Sequence, residues 1–186
     1  DASAKRPSGV AVEVCRTVCA AMPPLNGVAE DCAVLQNLPS VLAGHALAPE
    51  PGMRVLDMCA APGGKTSHLA ALMRDTGELV ALDRRQARVD ELARLVERLQ
   101  LSCVRVAKAD ATALSSMSFD RVLLDEPCSG LGLRPRLHEA CKAAELPGRA
   151  MYQRKLLREA VRLLKPGGVL VYSVCTMNPG EGEDTV

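Results

Sequence analysis

A glycine-rich stretch, Asp57 to Thr66, reads DMCAAPGGKT and ends with the Gly-Gly-Lys-Thr that also ends many phosphate-binding loops. Such a loop follows the pattern G-x-x-x-x-G-K-[ST], so its first glycine would fall on Cys59. This spacing excludes a phosphate loop. What remains is a tight turn with Pro62 and two glycines before a helix. Backbone N–H groups of that turn can face a ligand that carries a carboxylate.

Acidic residues follow several predicted strands, and the carboxyl ends of parallel strands share one edge of a sheet. These residues are Asp57, Asp83, Asp110 and Asp125. One such residue alone is better explained as a helix cap or turn residue, but four at one edge favour a ligand site. Asp83 comes about twenty residues after the glycine turn, where an acid binds a ribose hydroxyl pair. Asp110 is placed to accept a hydrogen bond from an adenine amino group.

Arg88 lies one turn into the helix after Asp83, where its guanidinium can contact a nucleoside. The alternative is a solvated helix face, since the same segment carries other arginines: Arg84, Arg85, Arg94 and Arg98. The dinucleotide fingerprint G-x-G-x-x-G is absent from the glycine turn. A nucleoside site without that fingerprint points to S-adenosylmethionine.

Two cysteines follow predicted strands at the same edge: Cys128 in LLDEPCSGLG and Cys175 in LVYSVCTMNPG. Cysteine commonly packs as a small hydrophobic residue. That alternative weakens here, because each cysteine lies beside turn-forming Pro, Gly or Ser at the ligand edge. A thiolate is a strong nucleophile, so both residues are candidates for chemistry.

The elements that must position these residues alternate along the chain. Strands are predicted at 54–58, 78–83, 104–110, 120–125 and 167–173, and helices at 65–73, 84–101 and 152–168. This alternation predicts an α/β fold, a doubly wound and mostly parallel sheet with helices on both faces. A short helix is also predicted from Leu35 to Leu47, stopped by Pro49 and Pro51. Residues 1–26 show neither a helical nor a strand period.

The amino-acid composition excludes some classes of protein but does not identify a binding partner. The 186 residues suit one domain, and a net charge of +1 provides no global attraction for nucleic acid. The eight cysteines are scattered and no secretory signal opens the chain, so we expect a reducing, intracellular and cytoplasmic protein. Cys15 and Cys19 lack zinc-site spacing, so no metal is expected there. No apolar run reaches about 18 residues, so no membrane span is expected.

The motifs DMCAAPGGKT, VALD, DEPCSGLG and LKPGGVLVYSVCT occur in the order found in RNA (cytosine-5) methyltransferases of the RsmB/Sun-domain family. The chain resembles this family from about Leu35 to Val186. LQNLPS and GLGLRPRL resemble the subgroup that carries a PUA domain and acts on tRNA acceptor ends. The resemblance implies a Rossmann-like class I S-adenosylmethionine-dependent methyltransferase acting on tRNA. Residues 1–34 would be a junction segment, and residues 35–186 the catalytic domain.

The resemblance also implies roles for individual residues. Cys175 would be the nucleophile and Cys128 the residue that assists product release. The predicted cofactor contacts are Cys59, Ala60, Ala61, Pro62, Gly63, Gly64, Lys65, Asp83, Arg88, Asp110 and Asp125. Chemistry requires the thiol, because C5 of cytosine is a poor nucleophile until a thiolate adds at C6. Asp125, protonated or sharing a proton with N3 of the base, would stabilise that adduct, and a paired base must first be flipped out.

The chain departs from the family pattern in several places. Arg88 stands where Lys is common, and Val174 replaces the usual Thr before the nucleophile. Glu126 stands where the family has Ala or Pro; we expect it to disfavour ionisation of Asp125 or to crowd the target base. The chain stops soon after Cys175, so we expect a catalytic core without its closing β-hairpin or a PUA domain. The alternative function is a catalytically weak or inactive RNA-binding or assembly module with the same fold.

Overall fold

The computed structural model describes residues 33–114, 118–132 and 145–186, together with the backbone of 11–14. The strands are β1 (Ala11–Val14), β2 (Ala33–Gln36), β3 (Arg54–Asp57), β4 (Glu78–Asp83), β5 (Val104–Lys108), β6 (Phe119–Asp125) and β7 (Leu164–Ser173). The helices are α1 (Leu38–Leu47), α2 (Gly64–Leu72), α3 (Gln86–Arg98) and α4 (Leu146–Leu163), followed by a 3₁₀ helix at Pro179–Glu181.

The main sheet has five parallel strands in the order β5-β4-β3-β6-β7. The chain moves outward from β3 to β5 and then returns to β6, on the other side of β3. This reversal opens a crevice at the carboxyl ends of β3 and β6, where ligands of doubly wound sheets bind. The predicted α/β fold with a parallel sheet is confirmed.

Side chains of the central strands alternate between two hydrophobic clusters, because successive residues of a strand point to opposite faces. In β3, Val55 packs in the cluster with Leu69 of α2, and its neighbour Leu56 packs with Leu156 of α4. Both faces of the sheet are therefore covered. Burial on both faces explains why these strands read as continuous apolar runs in the sequence.

Two predictions for the first part of the chain were wrong. A strand, β1, lies within residues 1–26, where no regular structure is predicted, and Leu35 belongs to β2 instead of a helix. The two strands pair in parallel, with Ala11 opposite Ala33, and a local sequence window does not reveal such distant pairing. Helix α1 begins at Leu38 and ends at Leu47, before Pro49 as predicted.

Boundaries of other elements also shift. Strand β5 ends at Lys108, so Asp110 lies beyond the strand and not at its end. Strand β2 crosses the predicted boundary between residues 34 and 35. The predictions on Cys15 and Cys19, and the last part of GLGLRPRL, lie outside the described residues. Among the described helices, none has the length and apolar character needed to cross a membrane.

Both the backbone conformation at position 63 and the side chains around it require a glycine. Its φ is 106°, and a Cβ there would lie 2.6 Å from Leu95 Cδ2 and 2.7 Å from Leu92 Cδ1. Gly52 has a φ of 84° with nothing within 4 Å of a Cβ. It is therefore a control for the backbone effect alone.

We expect Gly63→Ala to lower the free energy of unfolding by about 2–3 kcal/mol, from left-handed backbone strain together with crowding of two leucines. Gly52→Ala should cost about 1–2 kcal/mol, from the backbone alone. Urea denaturation of both variants measures the difference. Equal costs would show that Leu92 and Leu95 do not restrict this turn.

Candidate active site

The glycine turn is fastened to the strands on both sides of β3. The backbone N–H of Ala60 donates to Leu82 O at 2.8 Å, and that of Met58 donates to Leu123 O at 3.0 Å. Ala60 and Ala61 are buried below the turn, whereas Pro62 is exposed. No side chain caps the first turn of α2, so its N–H groups remain available to a ligand.

A buried side-chain hydrogen bond closes the base of the turn. The Thr66 hydroxyl donates to Asp57 Oδ2 at 2.7 Å, and Asp57 is only 1% exposed. Its other carboxylate oxygen has no partner. Burial raises the pKa of Asp57 to about 7, although the Thr66 hydrogen bond acts in the opposite direction. Asp57 therefore anchors the turn and does not lie on the open edge with the other predicted acids.

Arg88 joins the second acid to the turn. Its guanidinium donates to Ala61 O, and its Nε lies 3.5 Å from Asp83 Oδ2. Asp83 also accepts the Arg85 N–H at 2.9 Å. These contacts favour a role at the ligand edge over the alternative that Arg88 is part of a solvated face. They also bring the predicted cofactor residues of α3 and β4 together with the turn.

Asp110 is exposed and forms a turn with Thr112, whose N–H and hydroxyl donate to Asp110 Oδ1 at 2.9 Å and 2.7 Å. The backbone hydrogen bond from Thr112 is the main cause that lowers the pKa of Asp110. Asp110 thus has the local bonding of a turn residue. Its predicted contact with adenine stays a prediction.

Asp125 lies between two donors from different elements. Lys65 Nζ is 2.8 Å from Asp125 Oδ2, and the Ser173 hydroxyl donates to Asp125 Oδ1 at 2.9 Å. Ser173 is opposite Asp125 in the pairing of β6 with β7. Lys65 and Asp125 were both predicted for this site, and they are in direct contact.

The two predicted thiols meet at the edge of the sheet. Cys128 Sγ lies 3.1 Å from Cys175 Sγ, because each cysteine follows closely on the strand pair Asp125 and Ser173. Further contacts join the two loops: Ser129 Oγ is 2.8 Å from Thr176 Oγ1, and Gly132 N–H donates to Cys175 O at 3.0 Å. The pair is therefore held by neighbours on both sides.

The two thiols share protons unequally. A hydrogen bond from Cys175 lowers the pKa of Cys128 to about 6, because it stabilises the Cys128 thiolate. The same hydrogen bond, together with burial, raises the pKa of Cys175. This shared hydrogen bond favours loss of the proton from Cys128 over loss from Cys175. Burial also raises the pKa of Cys59, so this predicted cofactor residue is an uncharged thiol.

Glu126 is buried, and its predicted effect on Asp125 or on the target base stays a prediction. It is 5% exposed, and its Oε1 is bonded to the Tyr172 hydroxyl. Burial is the main cause that raises the pKa of Glu126 to about 8, although the Tyr172 hydrogen bond acts in the opposite direction. Tyr172 and its second partner, Glu181, were not predicted as residues of the site. Both are polar residues close to Cys175 in the sequence, one on each side, and this position is the sequence feature that could have indicated them.

A separate cleft of about 540 Å³ lies between β2, α3 and the glycine turn. Gln36, Arg94 and Arg98 line it, and neither Cys128 nor Cys175 does. Lys65 lines this cleft and also contacts Asp125, so the turn separates two different surfaces. No group of His, Cys, Asp and Glu in the described residues is arranged to hold a metal ion.

We expect Asp57→Asn to gain stability relative to the unchanged chain as pH rises from about 4 to about 7. The Asp57 pKa lies above its value of 3.8 in the unfolded chain, so its contribution is full below that value and is lost as pH rises through about 7. The gain is at most about 1.4 kcal/mol for each unit of pKa difference. Urea unfolding at several pH values measures it, with the exposed Asp90→Asn as control. A pH-independent difference for Asp57→Asn would contradict the assignment.

Comparison with known proteins agrees with this geometry. A family model described as 16S rRNA methyltransferase RsmB/F matches residues 44–186. NSUN6 of Mus musculus, a tRNA (cytosine(72)-C(5))-methyltransferase, is 45% identical over 179 residues, covering 88% of this chain and 38% of that protein. The tRNA (cytosine(72)-C(5))-methyltransferase of Pyrococcus horikoshii is 39% identical over 153 residues, covering 81% of this chain and 39% of that protein.

The crystal structure of NSun6 from Pyrococcus horikoshii with SFG matches with a TM-score of 0.83 and 36% identity, covering 88% of this chain and 44% of that chain. This chain spans less than half the length of each of these relatives. The parallel sheet, the glycine turn and the thiol pair thus occur together with a family match over most of the sequence. The chain belongs to the 16S rRNA methyltransferase RsmB/F family.

Proposed function

We propose that this chain is the catalytic part of an S-adenosylmethionine-dependent RNA cytosine-C5 methyltransferase that acts on tRNA. The observation that carries the proposal is the pair of thiols 3.1 Å apart, next to the contact between Asp125 and Lys65. Cytosine-C5 methylation needs a thiol nucleophile at C6 and a group near N3. The thiol pair and the carboxylate of Asp125 at one edge of the sheet support these two roles.

The residues around the glycine turn suit S-adenosylmethionine. The carboxylate of Asp83 can bind ribose hydroxyls, and the uncapped N–H groups at the start of α2 can bind the methionine carboxylate. Arg88 holds the turn and Asp83 in this arrangement. When bound, S-adenosylmethionine supplies an electrophilic methyl group. The related Pyrococcus horikoshii structure contains SFG, an analogue of this cofactor, which supports the assignment.

One thiol of the pair can accept the proton of the other. As Cys175 forms a bond to C6 of cytosine, its proton passes to the Cys128 thiolate, and the C5–C6 electron pair becomes available at C5. Asp125 stabilises the adduct by sharing a proton with N3 of the base. After methylation, Cys128, once it has released the proton taken from Cys175 to solvent, can accept the C5 proton, and the bond between C6 and Cys175 breaks so that Cys175 leaves as a thiolate. The short distance from Cys128 to the departing sulfur supports its role in release.

The choice of tRNA rests on the names of two relatives, which are tRNA (cytosine(72)-C(5))-methyltransferases. Cysteines 59, 103, 128 and 175 are free thiols in the described residues. A nucleophilic thiol pair requires a reducing environment, so we place the proposed activity inside the cell.

Cys175→Ala should abolish methyl transfer, whereas Cys128→Ala should accumulate a covalent adduct between protein and RNA. The reason is that the first variant lacks the nucleophile and the second retains it but releases product slowly. Denaturing gels of protein incubated with tRNA and S-adenosylmethionine detect the adduct, and bisulfite sequencing detects the product. The core variant Cys103→Ala is the control. An adduct that persists without Cys175 would reverse the two roles.

Asp83→Ala should weaken S-adenosylmethionine binding by at least about tenfold, because a buried acid that pairs with the ribose is lost. Isothermal titration calorimetry measures the affinity, with the exposed Asp90→Ala as control. Thermal unfolding of both variants checks that the fold is retained. If the unchanged chain binds tRNA but not S-adenosylmethionine, the alternative function of a catalytically inactive RNA-binding module is favoured.

A further inference from the structure

We propose that Glu126 is a positioning residue that must keep its proton: through Tyr172 and Glu181 it holds together the loops that carry Cys128 and Cys175. This inference rests on the proposed methyl transfer. It concerns a residue at which the chain differs from the family pattern. Its consequence is an alkaline limit on activity that a neutral side chain at the same position would lack.

The hydrogen bonds of Tyr172 indicate whether Glu126 is protonated. The Tyr172 hydroxyl contacts two acceptors, Glu126 Oε1 and the backbone oxygen of Glu181, the latter at 2.7 Å. A phenol has a single proton and can donate to only one of them. Both contacts are satisfied when Glu126 is protonated and donates to Tyr172, which then donates to Glu181 O. The chain of donors therefore begins at Glu126.

The surroundings of Glu126 disfavour its ionised form. Its second oxygen, Oε2, is buried without a hydrogen-bond partner, and an ionised carboxylate needs donors on both oxygens. The acidic groups that face it are Asp125 on β6, Cys128 in the following loop and Glu181 near the 3₁₀ helix. Cys59, after β3, is an uncharged thiol. The phenol of Tyr172, on β7, keeps its proton because burial raises its pKa.

Two cations approach this cluster, and both have contacts elsewhere. Lys65 pairs with Asp125, and the Arg149 guanidinium, from α4, donates to Cys128 O at 3.3 Å. Burial and the neighbouring acidic groups raise the pKa of Glu126 to about 8. Ionisation would therefore add an anion beside the Cys128 thiolate.

Glu181 differs from Glu126 in that its pKa is lowered, and it connects Tyr172 to the loops of both cysteines. Burial acts to raise its pKa, but hydrogen bonds from Ser129, Gln153 and Asn178 outweigh burial and lower it. Its Oε1 accepts the Ser129 N–H at 3.0 Å and the Gln153 amide at 3.1 Å, and its Oε2 lies 3.4 Å from Thr176 Oγ1. Ser129 follows Cys128 and Thr176 follows Cys175. Holding Glu181 in place therefore holds the neighbours of both thiols.

Loss of the Glu126 proton breaks this series of hydrogen bonds. Tyr172 then faces one carboxylate and one carbonyl oxygen with a single proton, so the bond to Glu181 O competes with the bond to Glu126. The Cys128 and Cys175 loops lose a shared anchor as an additional negative charge forms between them. We therefore expect turnover to fall as pH rises through about 8, with the RNA affinity less affected.

The test compares pH profiles of kcat for the unchanged chain, Glu126→Gln and the control Glu183→Gln, an exposed glutamate of the same segment. We expect kcat of the unchanged chain and of Glu183→Gln to fall about tenfold by about pH 9, because one group with a pKa near 8 is then mostly ionised. Glu126→Gln keeps a donor without a titratable proton, so its kcat should stay level. The same alkaline fall in Glu126→Gln would overturn the proposal.

Two further measurements keep the proposal testable. In a Tyr172→Phe background, Glu126→Gln should leave the pH profile unchanged, because the link between Glu126 and Glu181 is already missing; an undiminished effect would contradict action through Tyr172. The free energy of unfolding of Glu126→Gln relative to the unchanged chain should rise between about pH 4.5 and about pH 8 and level off above it, and a pH-independent difference would refute a neutral Glu126. If no variant methylates RNA, the proposed function fails, while the unfolding comparison still decides the state of Glu126.

Discussion

The parallel pairing of β6 with β7 is the constraint on which the candidate active site depends. It sets Asp125 opposite Ser173, and both chains then leave the sheet at the same edge. The two cysteines follow within three residues of that pair, so their sulfur atoms meet at 3.1 Å although they are 47 positions apart in the sequence. A shift of register by one residue would turn these side chains to the opposite faces and separate the thiols.

Supply of hydrogen-bond donors, more than burial, decides which carboxyl groups at this edge carry a charge. Glu126 and Glu181 are both buried, yet burial prevails in Glu126 and raises its pKa to about 8, whereas donors prevail in Glu181 and lower its pKa. Asp57, which is buried below this edge, has one side-chain donor, from Thr66, and its pKa is raised to about 7. The edge thus contains neutral and charged acids close together, as sites for proton transfer often do.

Much of the site could be predicted from the sequence, because its residues occur in short motifs at strand ends. The glycine turn, Lys65, Asp83, Arg88, Asp125 and both cysteines lie at one edge as predicted. The predictions failed where distant contacts dominate. Strand β2 pairs with β1, which lies far from it in the sequence, and the buried Glu126 is bonded to Tyr172.

By itself, the sequence determined the alternation of strands and helices and the parallel sheet, because periodicity is a local property, and its strand-end motifs predicted the residues of the site. It also excluded a phosphate loop, since Cys59 replaces a required glycine. Only the tertiary structure decided which pKa values are shifted, because it sets Cys128 beside Cys175 and brings Tyr172 into contact with both Glu126 and Glu181. The reason is that a pKa depends on the burial and donors around a group, and these are supplied by residues far away in the chain.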